Sequence, residues 1–451
     1  MNTRRRVACL GIGLVALLFN VGGCTITFGP LDETNGASDD TTPVLPAPRP
    51  PGGGTPAPGG GGPVLDGAQQ ARKDEVDKYI AEVVYQGGKI RESIQLPSGD
   101  VLDFIDRNTL PALPYELPAL PLTAADLTLP PGVELGQSEL EQIPELLSLA
   151  ATATPFHRPT FWPYILGETD ATSIEDFLNR YQLGGQPSGS EHLYAGLTAE
   201  APNHGVSGFV NQFRPEVEAG SFSLIEFAVA CPAVGTAQEA VGVVISVDKV
   251  NPFGKNGQPL TDVEPRLHIE YAHTDPSTGQ VRYNWDGSQG EFKANLSRQR
   301  HHPGQTAPVS VLGGTQVEHL AAIFQSPAGD WWIAYQGELL GYYPAGLFKL
   351  LNGGACRTLW YGEVARKKPA TATAWPKTEM GSGNFAAEGL LKAAYVRNPR
   401  YYDPIWFGVE PQEALSGNLP KNDLCYTRSA LNSGMFFLGG PGGKNPGCVW
   451  P

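Results

Sequence analysis

From residue 191 onward the chain is cut into short runs that helices cannot use. Apolar or alternating stretches recur at 208–213, 222–231, 240–247, 266–273, 319–324, 331–335, 358–364 and 391–395, separated by Gly, Pro, Asn and Asp. Runs of this length with period-two alternation and turn formers between them build antiparallel strands. So many strands in about 260 residues make an all-β sandwich or barrel, and one such domain fits that length. No internal repeat is visible. The domain is expected to span residues 186–451.

The sequence ahead of it has a different character. Residues 68–84 have helical periodicity, with Val76, Ile80 and Val83 or Val84 on one side. A hairpin or turn follows at 94–107, then a proline-rich stretch to Pro131, then helices expected at 137–149 and 173–181. This small, partly helical leader (68–185) reads in two ways. It is a pro-segment that covers a cleft until it is cut away, or a small accessory domain.

The first residues are a targeting segment. Arg4, Arg5 and Arg6 precede an apolar run over 7–21, which ends at Val21-Gly22-Gly23-Cys24. The run is too short to span a bilayer with margin, and small-small-Cys has the form of a bacterial lipoprotein cleavage site. Residues 1–23 are therefore expected to leave as a signal peptide. Acyl chains on Cys24 would tether the mature chain to a membrane, on the periplasmic or cell-surface side. Residues 24–67, rich in Pro and Gly, bury too little to fold and form a linker.

Loss of the three signal arginines takes the formal net charge from −14 to about −17. Nucleic acid is excluded as a partner, because phosphate binding needs clustered Lys and Arg. Without Cys9 and Cys24, four cysteines remain, an even number in an exported chain. Cys425 and Cys448 flank the last segment and can staple it, which leaves Cys231 to pair with Cys356. No Cys-x-x-Cys occurs, and the histidines, including His301-His302 in a polar loop, suggest no ligand set. No metal or cofactor is expected, and the expected state is a monomer.

Residues 329–398 hold the most chemistry. Aromatic-rich strands bring Glu363 into apolar surroundings, where a carboxylate is a candidate acid or base. The bland alternative is a strand glutamate paired with Arg357, Arg366 or Lys367. Several motifs then occur in order: Ile94–Asp100 with Asp103, His192 with Tyr194-Ala195, Phe222-Ser223-Leu224, Arg266-Leu267, Tyr283-Asn284, Gly329–Trp332, Gly341–Pro344, Leu347-Phe348, Trp360–Val364, Met380–Phe385 and Tyr395–Asn398. In this series the chain resembles the neprosin family of secreted glutamic peptidases, the first motif resembling the family's activation peptide and the rest its catalytic domain. The resemblance favours the pro-segment reading of the leader. It implies a two-sheet antiparallel sandwich with a long cleft that cleaves peptides at acid pH, in the founding plant members after proline.

The resemblance also implies two catalytic glutamates. One maps onto Glu363, with Tyr361 in place of the family's first glycine. The other belongs in a Glu-Ala-Gly-Trp-like strand, where this chain has Gly242. Glu239, reached by a bulge, and Glu226, on the neighbouring strand, are the alternatives. Trp331, Trp332, Tyr342, Tyr343, Trp360, Tyr361 and Tyr283 could line a groove for apolar or proline-containing peptides. Two functions follow: a membrane-tethered acid endopeptidase made as a zymogen, or a catalytically inactive sandwich that binds a peptide or cell-surface polymer.

Overall fold

The computed structural model describes residues 64–96, 100–114, 116–122, 128–159, 161–180, 190–232, 238–249, 263–274, 281–298, 300–367, 374–412 and 422–449. The signal segment, Cys24 and nearly all of the linker lie outside the described residues.

The leader begins with helix α1 (Gly67–Tyr79), which continues as a π-helical stretch, Ile80–Val84. Asp66 sets its start: its carboxylate accepts from Gln69 N at 2.8 Å, and Gln69 Oε1 accepts from Asp66 N at 3.0 Å. This reciprocal cap satisfies two otherwise orphaned donors. Strands β1 (Ile90–Gln95) and β2 (Val101–Asp106) form the expected hairpin. Then come β3 (Val133–Leu135), α2 (Pro144–Ala150), β4 (Ala153–His157), α3 (Trp162–Ile165) and α4 (Ile174–Arg180). The helix expected at 137–149 is shorter than its apolar pattern suggests. Ser138 and Glu141 bond each other's backbone N–H groups and hold a turn ahead of Pro144, which starts the helix.

The β-domain follows as β5 (Ser190–Ala199), β6 (Gly205–Asn211), β7 (Ser221–Pro232), β8 (Gln238–Asp248), β9 (Arg266–Thr274), β10 (Val281–Trp285), β11 (Lys293–Ala294), β12 (Gln316–Gln325), β13 (Trp331–Tyr335), β14 (Glu338–Tyr343), β15 (Arg357–Lys367), β16 (Ala394–Tyr402), β17 (Gly408–Val409), β18 (Thr427–Arg428) and β19 (Met435–Gly439). Three sheets result. The leader has β1-β2-β4. A six-stranded antiparallel sheet runs β10-β9-β8-β7-β15-β5, and a larger one β11-β14-β13-β12-β6-β16-β19-β18, with β17 on β16 and β3 on β12. The expected antiparallel sandwich is the observed fold.

The two large sheets face each other across one apolar core. Ile225, Phe227 and Val229 of β7 and Val241, Val243 and Ile245 of β8 meet Ile323 and Ile333 of the larger sheet there. Trp360, fully buried, donates its indole N–H across the gap to Ser207 O at 3.0 Å. A buried indole needs such a partner. Both expected disulfides are present, Cys231–Cys356 and Cys425–Cys448.

The leader is bound into this body. Strand β3 runs parallel to β12 at 316–318, Asp100 pairs with Arg266 at 2.5 Å, and Arg298 Nη2 donates to Pro155 O at 2.6 Å. His301 and His302 are not in a solvated loop. Both are buried, and His302 lies 3.2 Å from Glu139 of the leader.

Candidate active site

The six-stranded sheet has one face in the core and one turned away from it. Alternation puts Tyr361 and Glu363 of β15 on the outward face, and Trp360, Gly362 and Val364 on the core face. Register then fixes their neighbours. Tyr194 and Leu224 lie opposite Glu363, and Gly196 and Glu226 lie opposite Tyr361. One strand further on, Val244 faces Glu226 while Gly242 faces Ala228. Beyond β8, Gly242 faces Glu270. Three glutamates from three strands, Glu226, Glu270 and Glu363, therefore share one face, at 4%, 5% and 3% exposure.

Two glycines make room for this. A Cβ on Gly196 would lie 2.3 Å from Cβ of Tyr361, so the tyrosine stands where the neighbouring strand has no side chain. A Cβ on Gly242 would lie 2.6 Å from Glu226 Oε1 and 2.7 Å from Glu270 Cγ. The carboxyls of Glu226 and Glu270 come together over that glycine and are hydrogen-bonded to each other. Glycine inside a strand commonly marks such a close approach.

Phenols and one imidazole complete the constellation. Tyr361 donates to Glu226 Oε2 at 2.5 Å, and His192 Nδ1 donates to Glu363 Oε1 at 2.5 Å. Tyr194 bonds Glu363 as well, and its ring meets that of Tyr361 edge-on at 5.5 Å. Glu363 is thus not the partner of the neighbouring arginines: Arg366 pairs with Glu191 at 2.8 Å and Arg357 with Glu200 at 3.9 Å. The side chain of Lys367 lies outside the described residues.

Burial, reinforced by the charge of Glu270, pushes Glu226 well above the usual carboxylate range. Burial also pushes Glu270 up to about 7, against the hydrogen bond from Glu226. Both carboxyls thus favour their protonated forms, and the hydrogen bond between them needs a proton on one of the two. Two carboxylates this close cannot both ionise cheaply, so one proton stays. Burial likewise drives the Tyr194 and Tyr361 hydroxyls far up, which keeps them donors.

Of the glutamates expected here, Glu363 and Glu226 share the face and Glu239 does not. Strand β8 pairs with β7 and β9 without a bulge, so Glu239, three residues from Gly242, points to the opposite side. Its carboxylate accepts from the backbone N–H groups of Lys349, Leu350 and Leu351 at 2.7–3.0 Å. Glu239→Gln puts an amide NH₂ among those donors. It is expected to cost about 1–3 kcal/mol in urea unfolding.

The aromatic expectations are corrected in the same way. Trp331, Tyr343 and Trp360 lie in the core between the sheets. Trp332 and Tyr342 stack at 4.8 Å on the far face of the larger sheet, against Leu113, Leu120 and Leu122 of the leader. Only Tyr361 and Tyr283 border the glutamates. Glu270, His192 and Tyr194 were missing from the expected site. The available signal for Glu270 was Gly242, a side-chain-free position inside a run of valines.

Among solved structures, the chain aligns with a scytalido-glutamic peptidase carrying a peptide-based transition-state analogue. The identity is 10% over 56% of this chain and 99% of that one, with a TM-score of 0.27. It also aligns with SCP-B, an Eqolisin-family peptidase in complex with the tripeptide Ala-Ile-His, at 8% identity over 55% and 98%, TM-score 0.27. A kappa-carrageenase from Pseudoalteromonas carrageenovora, bound to an oligotetrasaccharide of kappa-carrageenan, aligns at 10% identity over 40% and 56%, TM-score 0.22. The Neprosin family model matches residues 262–441, the stretch that carries Glu270, Tyr283, Tyr361 and Glu363. Over that segment the chain is similar to the Neprosin family.

Proposed function

We propose that this chain is a glutamic-type acid endopeptidase that hydrolyses peptide bonds with a water activated between Glu363 and Glu226. The observation that carries the reading is two buried carboxyls on one face with opposite hydrogen-bonding roles. Glu363 accepts from His192 and Tyr194, which suits an ionised, acceptor-only carboxylate. Glu226 accepts from Tyr361 and shares a proton with Glu270, which suits a carboxyl that serves as the acid. In this mechanism Glu363 takes a proton from the water, and the water oxygen bonds to the peptide carbonyl carbon. Glu226 turns its proton from Glu270 to the developing oxyanion, and Glu363 passes the proton it took to the amine nitrogen as the C–N bond breaks. No serine or cysteine nucleophile is used.

The cleavage preference carried over from relatives is the bond after proline. The leader is read as a pro-segment, which its strand pairing and its ion pair with Arg266 support. Residues 1–24 support an exported, membrane-tethered protein, anchored through Cys24 outside the cytosol. A second reading, an inactive peptide- or polymer-binding sandwich, draws on Gly242, which leaves the family's usual glutamate position without a carboxyl.

Digestion of a proline-rich peptide library from pH 3 to 9, wild type beside Glu363→Gln, separates the two. Cleavage that vanishes in the variant supports the peptidase. A correctly processed wild type that binds peptides but cuts none at any pH supports the binding module.

A further inference from the structure

We infer that Glu270 is a positioning residue of this site: over Gly242 its carboxyl hydrogen-bonds that of Glu226, so that the two hold a proton between them. The inference rests on the peptidase reading for its functional meaning, but its geometry stands independently. Glu226 and Glu270 come from strands that do not pair with each other, since β8 lies between them. They can meet only because Gly242, opposite Glu270 in the register, contributes no side chain. A glutamate at position 242 would point into the same space from the middle strand. The chain has instead a glycine at the centre with a carboxyl reaching in from each side.

The surroundings of Glu270 fit that task. From β15 it is faced by Tyr361 and Glu363, from β10 by Tyr283, and from its own strand by His268. His268 is taken up by Asp286, with its Nδ1 2.7 Å from Oδ2. Tyr343 feels its charge from the other sheet. The phenols are kept neutral by burial, so the negative charges that act on Glu226 are those of Glu270, the larger, and Glu363. As pH rises the pair gives up one proton, and the charge it then carries resists loss of the second. Without Glu270, Glu226 would lose its proton at a lower pH. The high-pH limb of hydrolysis would move down with it.

The test compares wild type, Glu270→Gln and Gly242→Ala. Glu270→Gln keeps the size of the side chain and an acceptor oxygen but removes the charge. Its kcat/KM profile for a cleaved peptide is expected to lose its high-pH limb at least one pH unit earlier, with activity at the acid optimum within about tenfold of wild type. A merely structural role would lower the whole profile without moving its limb. Gly242→Ala is expected to drive the two carboxyls apart and shift the limb in the same direction.

A second readout does not depend on hydrolysis. The infrared band of protonated carboxyl groups, followed from pH 5 to 9, is expected to persist at pH 8 in wild type. It should be lost at lower pH in Glu270→Gln, and the persistent component should be absent in Glu226→Gln. An unshifted limb in an active Glu270→Gln enzyme overturns the inference and leaves the peptidase reading intact. In a protein that cleaves nothing, infrared titration decides instead: identical curves for wild type and Glu270→Gln overturn it.

Discussion

Glu363→Gln is expected to lower kcat for peptide hydrolysis by about 10²–10⁴-fold, the usual size of a lost general base. KM should move little. The substitution keeps the shape of the side chain and leaves a carbonyl oxygen to accept from His192 and Tyr194, so the sheet and its neighbours have no reason to rearrange. What disappears is the ability to take a proton from water, which matters only on the way to the transition state. A fall in kcat with KM held is the signature of that kind of loss. Steady-state kinetics at the acid optimum, with a denaturation curve to confirm the fold, make the measurement. A variant within tenfold of wild type would remove Glu363 from the mechanism.

Most of the sandwich was legible because the strands alternate and glycines, prolines and asparagines cut them to length. Which face of each strand looks into the core was harder to read, and the aromatic residues show why. Trp331-Trp332, Tyr342-Tyr343 and Trp360-Tyr361 are sequence neighbours on strands, so the members of each pair point to opposite faces. No more than one of each pair could line a single groove. For Trp331-Trp332 and Tyr342-Tyr343 neither does, because the larger sheet presents one face to the core and the other to the leader.

Parity also decides between the glutamate candidates. Glu239 lies an odd number of residues from Gly242 and belongs to the core side, where it caps a turn. Glu226 lies opposite Tyr361 in the register of β7 and β15, which no local pattern reveals. Glu270 was hidden more deeply. Its partner lies two strands away across a glycine, and only the full pairing β7-β8-β9 brings the two together.

The largest stability effect should appear as a pH dependence, and its sign follows from the raised titration of Glu270. In the folded chain burial pushes this carboxyl from 4.5 up to about 7. Between those pH values the folded chain holds a proton that the unfolded chain has released, so stability falls as pH rises, by about 1.4 kcal/mol per pH unit. Over the whole interval the loss is about 3 kcal/mol, and it levels off above pH 7. Glu270→Gln carries no such penalty. Relative to wild type it should be close to neutral at pH 4.5 and about 3 kcal/mol more stable at pH 8, read from urea unfolding at the two pH values. Glu226 carries a penalty of the same sign in wild type, and without the Glu270 charge that penalty shrinks, so the difference is a lower bound. A gain confined to neutral pH, in a variant whose high-pH activity has been cut back, is what a site held together against its own charge predicts. Equal pH slopes for the two proteins would mean that Glu270 is ionised at no cost, and the shared proton over Gly242 would have to be abandoned.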